Sequence, residues 1–162
     1  MPIRACEPED FAAFTAITNA IITTSATHFG YEPYGPSELA GMWRNDRERF
    51  PWLSLVAEDG TPIGYAKAGT WRARDAYRWT CETAIYLHES ARGRGQGKEL
   101  YQALLDECAR RDFHSVMAGI TLPNAASVRL HESLGFVSTG VVRDAGKKLD
   151  RWHDVGFWQR ML

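Results

Sequence analysis

The sequence predicts an α/β fold, with one central mixed β-sheet flanked by helices on both faces and a single domain over residues 1–162. Three observations predict it. Several segments alternate apolar and polar residues, the period of a half-buried strand, and others repeat apolar residues at helical spacing. Asp59-Gly60 separates two strand-like segments as a hairpin turn. The short apolar segment Ser115–Ile120 lies between two helical segments, as a strand covered on both faces does.

In order along the chain, Ile3–Cys6 starts a strand and Pro8-Glu9-Asp10 opens a helix carrying Phe11, Phe14, Ile17 and Ile21 at helical spacing. Residues 22–36 are rich in Thr, Pro and Gly and read as a loop, with His28, Phe29, Tyr31 and Tyr34 on it. Ser37 can cap a second helix, which Pro51 stops after Phe50. Trp52–Glu58 and Pro62–Trp71 are the hairpin strands, and Tyr77–His88 follows as a third meander strand. Gly95–Arg111 is a helix with Leu100, Leu104 and Cys108 on one stripe. After Ser115–Ile120 comes a helix over Asn124–Leu134, which Gly135 can end. Val137–Arg143 and Trp152–Leu162 are the last two strands.

With 44% hydrophobic residues and 162 in all, the chain can build a core without disulfides or a structural metal. A net charge of −1 with scattered basic residues gives no footprint for nucleic acid or an anionic membrane. Three cysteines without ligand spacing read as reduced thiols, and no metal site is expected. Neither a signal peptide nor the ~20-residue apolar run of a membrane span is present, so a cytoplasmic protein is expected.

The most informative segment is Arg92-Gly93-Arg94-Gly95-Gln96-Gly97-Lys98, between a strong strand and an amphipathic helix. Its glycines allow a tight turn and close backbone approach. The first amides of the helix have no internal partner and face a ligand, while the helix dipole favours an anion such as a pyrophosphate. The alternative is an ordinary glycine-rich turn. A dinucleotide fingerprint fails, because the third glycine of G-x-G-x-x-G is absent, and a P-loop fails because Glu99 follows Gly97-Lys98.

Arg92-x-x-Gly95-x-Gly97 resembles the Q/R-x-x-G-x-G/A signature of the GNAT acetyltransferase superfamily, and the element order resembles that fold. Further blocks resemble the phosphinothricin N-acetyltransferases and the methionine sulfone and sulfoximine acetyltransferases: Trp71–Tyr77, Trp79–Glu82, Leu122–Asn124 with Ser127–Glu132, and Trp152–Gln159. The resemblance covers most of residues 70–160 and implies an acetyl-CoA-dependent N-acetyltransferase acting on a small amino-acid-like substrate. It implies that the acetyl-CoA pyrophosphate rests on Gly93, Arg94, Gly95, Gln96, Gly97 and Lys98. The pantetheine arm would pair with the backbone of Ile85, Tyr86 and Leu87, and Asn124 and Ser127 would contact it. One departure stands out: Lys147 occupies the place of an expected aromatic before Lys148.

Acyl transfer to an amine requires a proton acceptor. Strand alternation places Glu82, Ala84, Tyr86 and His88 on one face. Glu82 in mid-strand is either the general base, the role the resemblance implies, or a carboxylate on an open sheet face. His131 shares a helix face with Asn124 and Ser127. It is either catalytic, as the resemblance implies, or a packed structural histidine. Tyr86 is either a proton donor or a pocket wall. Arg74 and Tyr77 are expected at the pocket mouth beside Glu82, where Arg74 would hold an anionic group by paired hydrogen bonds; its alternative is a solvated loop residue. Phe29 and Tyr31 are expected to close the pocket from the early loop. The resemblance and the aromatic tail also imply a homodimer with Trp152–Gln159 near the interface. Two other functions stay open: acetylation of a protein N-terminus or another small amine, and a non-catalytic acyl-CoA sensor.

Overall fold

The computed structural model describes residues 1–162 and keeps the expected element order throughout. Strand β1 (Ile3–Ala5) leads through a 3-10 turn, Pro8–Asp10, into helix α1 (Phe11–Thr24). Helix α2 (Glu38–Asp46) precedes the meander of β2 (Trp52–Val56), β3 (Pro62–Thr70) and β4 (Thr80–Leu87). Helix α3 (Gln96–Arg110), strand β5 (Ser115–Thr121), helix α4 (Ala125–Ser133) and the hairpin of β6 (Val137–Lys148) and β7 (Arg151–Met161) complete the chain.

All seven strands form one sheet in the order β1-β2-β3-β4-β5-β7-β6. Every pairing is antiparallel except β4 with β5. Two cores cover the two faces. Leu100, Tyr101, Leu104, Leu105 and Cys108 of α3 pack on Ala66, Ala68, Cys81, Val116 and Ala118, with Leu134 after α4 in the same cluster. Phe11 and Phe14 of α1 and Leu39 and Trp43 of α2 pack on Trp52 and Tyr65 from the other side. The alternation of β3 explains the split, since Ala66 and Ala68 point one way while Tyr65 points the other.

Several boundaries move. Helix α1 runs to Thr24 rather than stopping before residue 22, because Ile22 is buried and the Thr23 and Thr24 hydroxyls bond back to Asn19 and Ala20 carbonyls. Residues Asp75–Trp79 form an exposed 3-10 turn, so β4 starts at Thr80 and not at Tyr77. Helix α2 ends at Asp46, and Ser37 sits at its N-cap without a side-chain bond; the Glu38 carboxylate accepts from the Gly35 amide instead. Strand β6 is longer than its apolar pattern, since pairing with β7 continues to Lys148 across two irregularities, Ser138/Gly140 and Val142/Gly146. Bulges bend a strand, and here the second one places Val142 and Ala145 over the sheet.

Candidate active site

The two parallel strands separate in mid-sheet. Their pairing ends at Glu82↔Met117, while β4 stays on β3 as far as Leu87↔Gly64 and β5 stays on β7 as far as Thr121↔Val155. The edge of β4 facing β5 is therefore unpaired beyond Glu82. Thr83 stands at the fork, with its hydroxyl bonded to the Tyr101 hydroxyl at 2.6 Å.

A cavity of about 610 Å³ occupies the fork. Ile85, Tyr86 and Leu87 line one side, and Asn124, Ser127 and His131 line the other. Its outer end is the glycine-rich loop. Gly93 and Gly95 have φ of 72° and 81°, the left-handed region that glycine occupies without a Cβ penalty. The amides of Gly93, Arg94, Gly95, Gln96 and Gly97 have no partner within the chain, and the first α3 bonds are donated by Lys98 and Glu99 to the Gly95 carbonyl. A Cβ on Gly97 would lie 2.8 Å from Leu87 Cδ1, so glycine lets α3 start against the end of β4. Arg92 turns back and donates twice to the Leu87 carbonyl, at 3.1 and 3.0 Å, tying loop to strand. Gly93, Gly95, Gly97 and Lys98 line the cavity; the Arg94 and Gln96 side chains do not, and Gln96 reaches Met1 instead. Unpaired amides at a helix N-terminus beside an unpaired strand edge fit a molecule with a pyrophosphate at one end and a polyamide arm.

A second cavity of about 680 Å³ lies on the α1/α2 face and shares Thr27, Thr83, Ala84, Tyr86, Gly119 and Thr121 with the first. Glu82 lines it as a half-buried carboxylate with no ion pair. The partner of Glu82 on β3 is Gly69, and Gly119 of β5 lies beside it; a Cβ on Gly119 would come within 3.6 Å of Glu82 Oε1. Two neighbours without side chains keep the carboxylate open to the cavity. Burial pushes the Glu82 carboxyl above its ordinary range, and the Lys67 ammonium pulls it partly back. Burial also raises Tyr86 far above an ordinary phenol, aided by Tyr34 and Glu82, so it stays a proton donor.

The early loop roofs this cavity, and Phe29 lines it. Residue 146 must be glycine for this, because a Cβ there would meet the Phe29 ring. The Tyr31 hydroxyl donates to the Lys147 carbonyl and the Lys148 ammonium to the His28 carbonyl, pinning the loop to β6.

Two sets of candidate residues sit outside the second cavity within the single chain. Arg74 and Tyr77 line neither cavity. Strand β3 leaves the sheet after Thr70, which does line the second cavity, and residues 72–79 then stand out in solvent, with Tyr77 42% exposed. His131 lines the first cavity, and both ring nitrogens are engaged. Nδ1 donates to the Ser127 carbonyl at 2.7 Å, so Nε2 accepts from the Tyr101 hydroxyl at 3.0 Å, and Tyr101 in turn accepts from Thr83. Burial lowers the His131 pKa, partly offset by the Ser127 bond. A neutral, fully bonded ring is a poor proton acceptor for a substrate. Asn124 caps α4 by accepting from the Ser127 amide at 3.1 Å, which leaves its Nδ2 donor free.

Residues overlooked in the sequence also meet here. Asp46 and Lys67 line the second cavity, as do Val155 and Phe157 from β7. The signal for Lys67 was present: it shares a strand face with Tyr65 and Gly69, and so the face of Glu82.

A mixed sheet forked between its parallel strands, a glycine-loop anion site and an open carboxylate define an acyltransferase of the acetyl-CoA type. The chain belongs to the acetyltransferase (GNAT) family, whose model matches residues 18–136, and it is an acetyl-CoA-dependent N-acetyltransferase. It is 45% identical over 159 residues to a phosphinothricin N-acetyltransferase of Streptomyces viridochromogenes, covering 98% of this chain and 86% of the relative. It is 39% identical over 164 residues to an L-methionine sulfoximine/L-methionine sulfone acetyltransferase of Salmonella typhimurium, covering 100% and 95%. Among solved structures, a phosphinothricin acetyltransferase from Sinorhizobium meliloti in complex with AcCoA superposes with a TM-score of 0.96 at 32% identity, covering 99% and 88%.

Proposed function

We propose that this enzyme acetylates the amino group of small glutamate-like amino acids, the class of phosphinothricin, methionine sulfoximine and methionine sulfone, with Glu82 as general base. The observation that carries the reading is the unpaired Glu82 carboxylate in the second cavity, directly followed in the chain by Thr83-Ala84, which line both cavities. The names of the relatives support the substrate class.

In this reading the unpaired amides of Gly93–Gly97 hold the pyrophosphate, with Lys98 nearby. The open edge of β4 at Ile85–Leu87 takes the amide arm, and Asn124 Nδ2 and Ser127 contact it from α4. The substrate ammonium gives a proton to Glu82, directly or through water. The freed nitrogen attacks the thioester carbonyl and a C–N bond forms; the C–S bond then breaks, and the second proton leaving the nitrogen replaces the one that Tyr86 gives to the departing thiolate. Tyr86 lines both cavities and is the donor available to that thiolate. His131 acts by position, locking Tyr101 and Thr83 at the fork. Arg74 and Tyr77, seven residues at most beyond Thr70, serve at the rim, where Arg74 meets an anionic group.

A homodimer fits the exposed apolar row of the β6–β7 hairpin, where Val137, Val141 and Trp152 are 68%, 51% and 60% exposed. Sheet edges of this kind favour a partner, and light scattering at micromolar concentration should give twice the chain mass. A monomer would remove this part. No helix is long and apolar enough to cross a membrane.

The test of the substrate reading is thiol release from acetyl-CoA with a panel of amines. Phosphinothricin, methionine sulfoximine and methionine sulfone should be turned over in preference to peptide N-termini. Arg74→Ala should raise the amino-acid KM while leaving that of acetyl-CoA. Turnover of peptides alone would overturn the substrate class and leave the acetyltransferase assignment standing.

A further inference from the structure

We infer that Lys67 is the specificity-determining cation of the second cavity, binding an anionic oxygen group of the amino-acid substrate while Glu82 receives its ammonium. The inference rests on the amino-acid reading above and adds to it a residue that neither the glycine motif nor the site expectations contain.

Lys67 is the only lysine or arginine lining this cavity. It leaves β3 on the same face as Glu82: Lys67 pairs with Ala84, and Glu82 pairs with Gly69, so the two charges stand diagonally across adjacent strands. Diagonal neighbours of this kind have Cβ atoms about 7–8 Å apart, within reach of long side chains. No carboxylate comes within ion-pair distance of the ammonium, although Asp46 and Glu82 line the same cavity. The ammonium lies over the ring of buried Trp52, 4.6 Å from its centroid, which holds the side chain against the sheet. Lys148, the other lysine at this end, is spent on the His28 carbonyl.

A half-buried cation without an ion-pair partner carries a desolvation cost for the fold alone. Burial lowers the Lys67 pKa while Asp46 and Glu82 raise it, so the charge is held in place by two carboxylates that do not neutralise it by contact. A zwitterion supplies the missing partner. Its ammonium faces Glu82, and its carboxylate or phosphinate oxygen faces Lys67, each charge removed from water against an opposite one. A neutral amine lacking an acidic group leaves Lys67 unpaired, and the cavity discriminates against it.

The test is steady-state kinetics of Lys67→Met, with Lys67→Arg as the charge-keeping variant, on phosphinothricin and on methionine sulfone. Melting temperature and the acetyl-CoA KM serve as checks on the fold. The methionine keeps the aliphatic contact with Trp52 and removes the charge. We expect its phosphinothricin KM to rise about 10- to 100-fold, the usual scale for a lost charge-assisted contact, with the acetyl-CoA KM within twofold and Lys67→Arg closer to wild type. A rise for phosphinothricin alone assigns Lys67 to the side-chain acid. An equal rise for methionine sulfone, whose side chain is neutral, assigns it to the α-carboxylate. If both KM values stay within twofold while the wild type is active, Lys67 does not bind substrate and the inference falls alone. If the wild type acetylates neither compound, the amino-acid reading fails and this inference with it.

Discussion

The two cavities are built from different materials. The first cavity, the cofactor side in the proposed reading, is made mostly of backbone: five unpaired amides, a left-handed Gly95 and a strand edge released where β4 and β5 part. The second cavity, the substrate side in the proposed reading, is made of side chains from distant places, with Phe29 from the early loop, Lys67 from β3, Glu82 from β4 and Phe157 from β7. A backbone site needs a local sequence with the right conformational freedom, and a glycine motif announces it. A side-chain site needs a register, and no short motif states one.

The comparison can be broken first on the substrate side, where the largest effect is expected. Glu82→Gln should lower kcat by about 100- to 10,000-fold near neutral pH, the usual loss on removing a general base. Calorimetry should show acetyl-CoA affinity unchanged, because no amide of the loop is touched. A parallel loss of cofactor binding would mean that the two cavities are not separable.

A smaller effect is expected on the cofactor side. Gly95→Val forces a branched side chain into the left-handed region, at roughly 1–2 kcal/mol. If the loop relaxes away from that conformation, acetyl-CoA affinity should fall about 5- to 30-fold, with the amino-acid KM nearly constant. Equal effects on both substrates would show that the loop supports the whole site.

This contrast also sets what the sequence could show. The element order was legible, because hydrophobic period marks strands and helices locally, and Arg92–Lys98 carries its own geometry. The strand face of Glu82 was legible too, since alternation alone places a carboxylate in mid-strand, but its proposed role came from the resemblance and not from the pattern. Arg74 and Tyr77 were expected beside Glu82 because they follow the second meander strand and from the resemblance, but residues 72–79 stand out in solvent in the single chain. A helical wheel left His131 open between a catalytic and a packed role, and the Tyr101 and Ser127 bonds, from two helices, engage both its ring nitrogens. Lys67 was overlooked because its importance depends on the cross-strand register Glu82↔Gly69.

The smallest expected effect is on stability. The Glu82 pKa is raised by folding, so the native state holds its proton more tightly than the unfolded chain. The folded state therefore loses stability as pH rises from the ordinary glutamate value toward the raised one, and carries the full penalty above it. Glu82→Gln should melt at or slightly above the wild type at pH 7, and the difference should close below pH 4 or so, where both glutamate forms are protonated. A clearly lower melting temperature at pH 7 would mean that the carboxylate stabilises the fold.

Proton transfer to Glu82 is tested most directly by kcat/KM against pH, measured on one amino-acid substrate for the wild type, Glu82→Gln and His131→Asn. The wild type should lose activity on the acid side through a group titrating above the ordinary glutamate range. His131→Asn should keep that acid limb. Glu82→Gln should lack it and climb with pH as the free amine becomes abundant. A Glu82→Gln enzyme within twofold of wild type at pH 7, with the same acid limb, would contradict the assignment of Glu82 as the base.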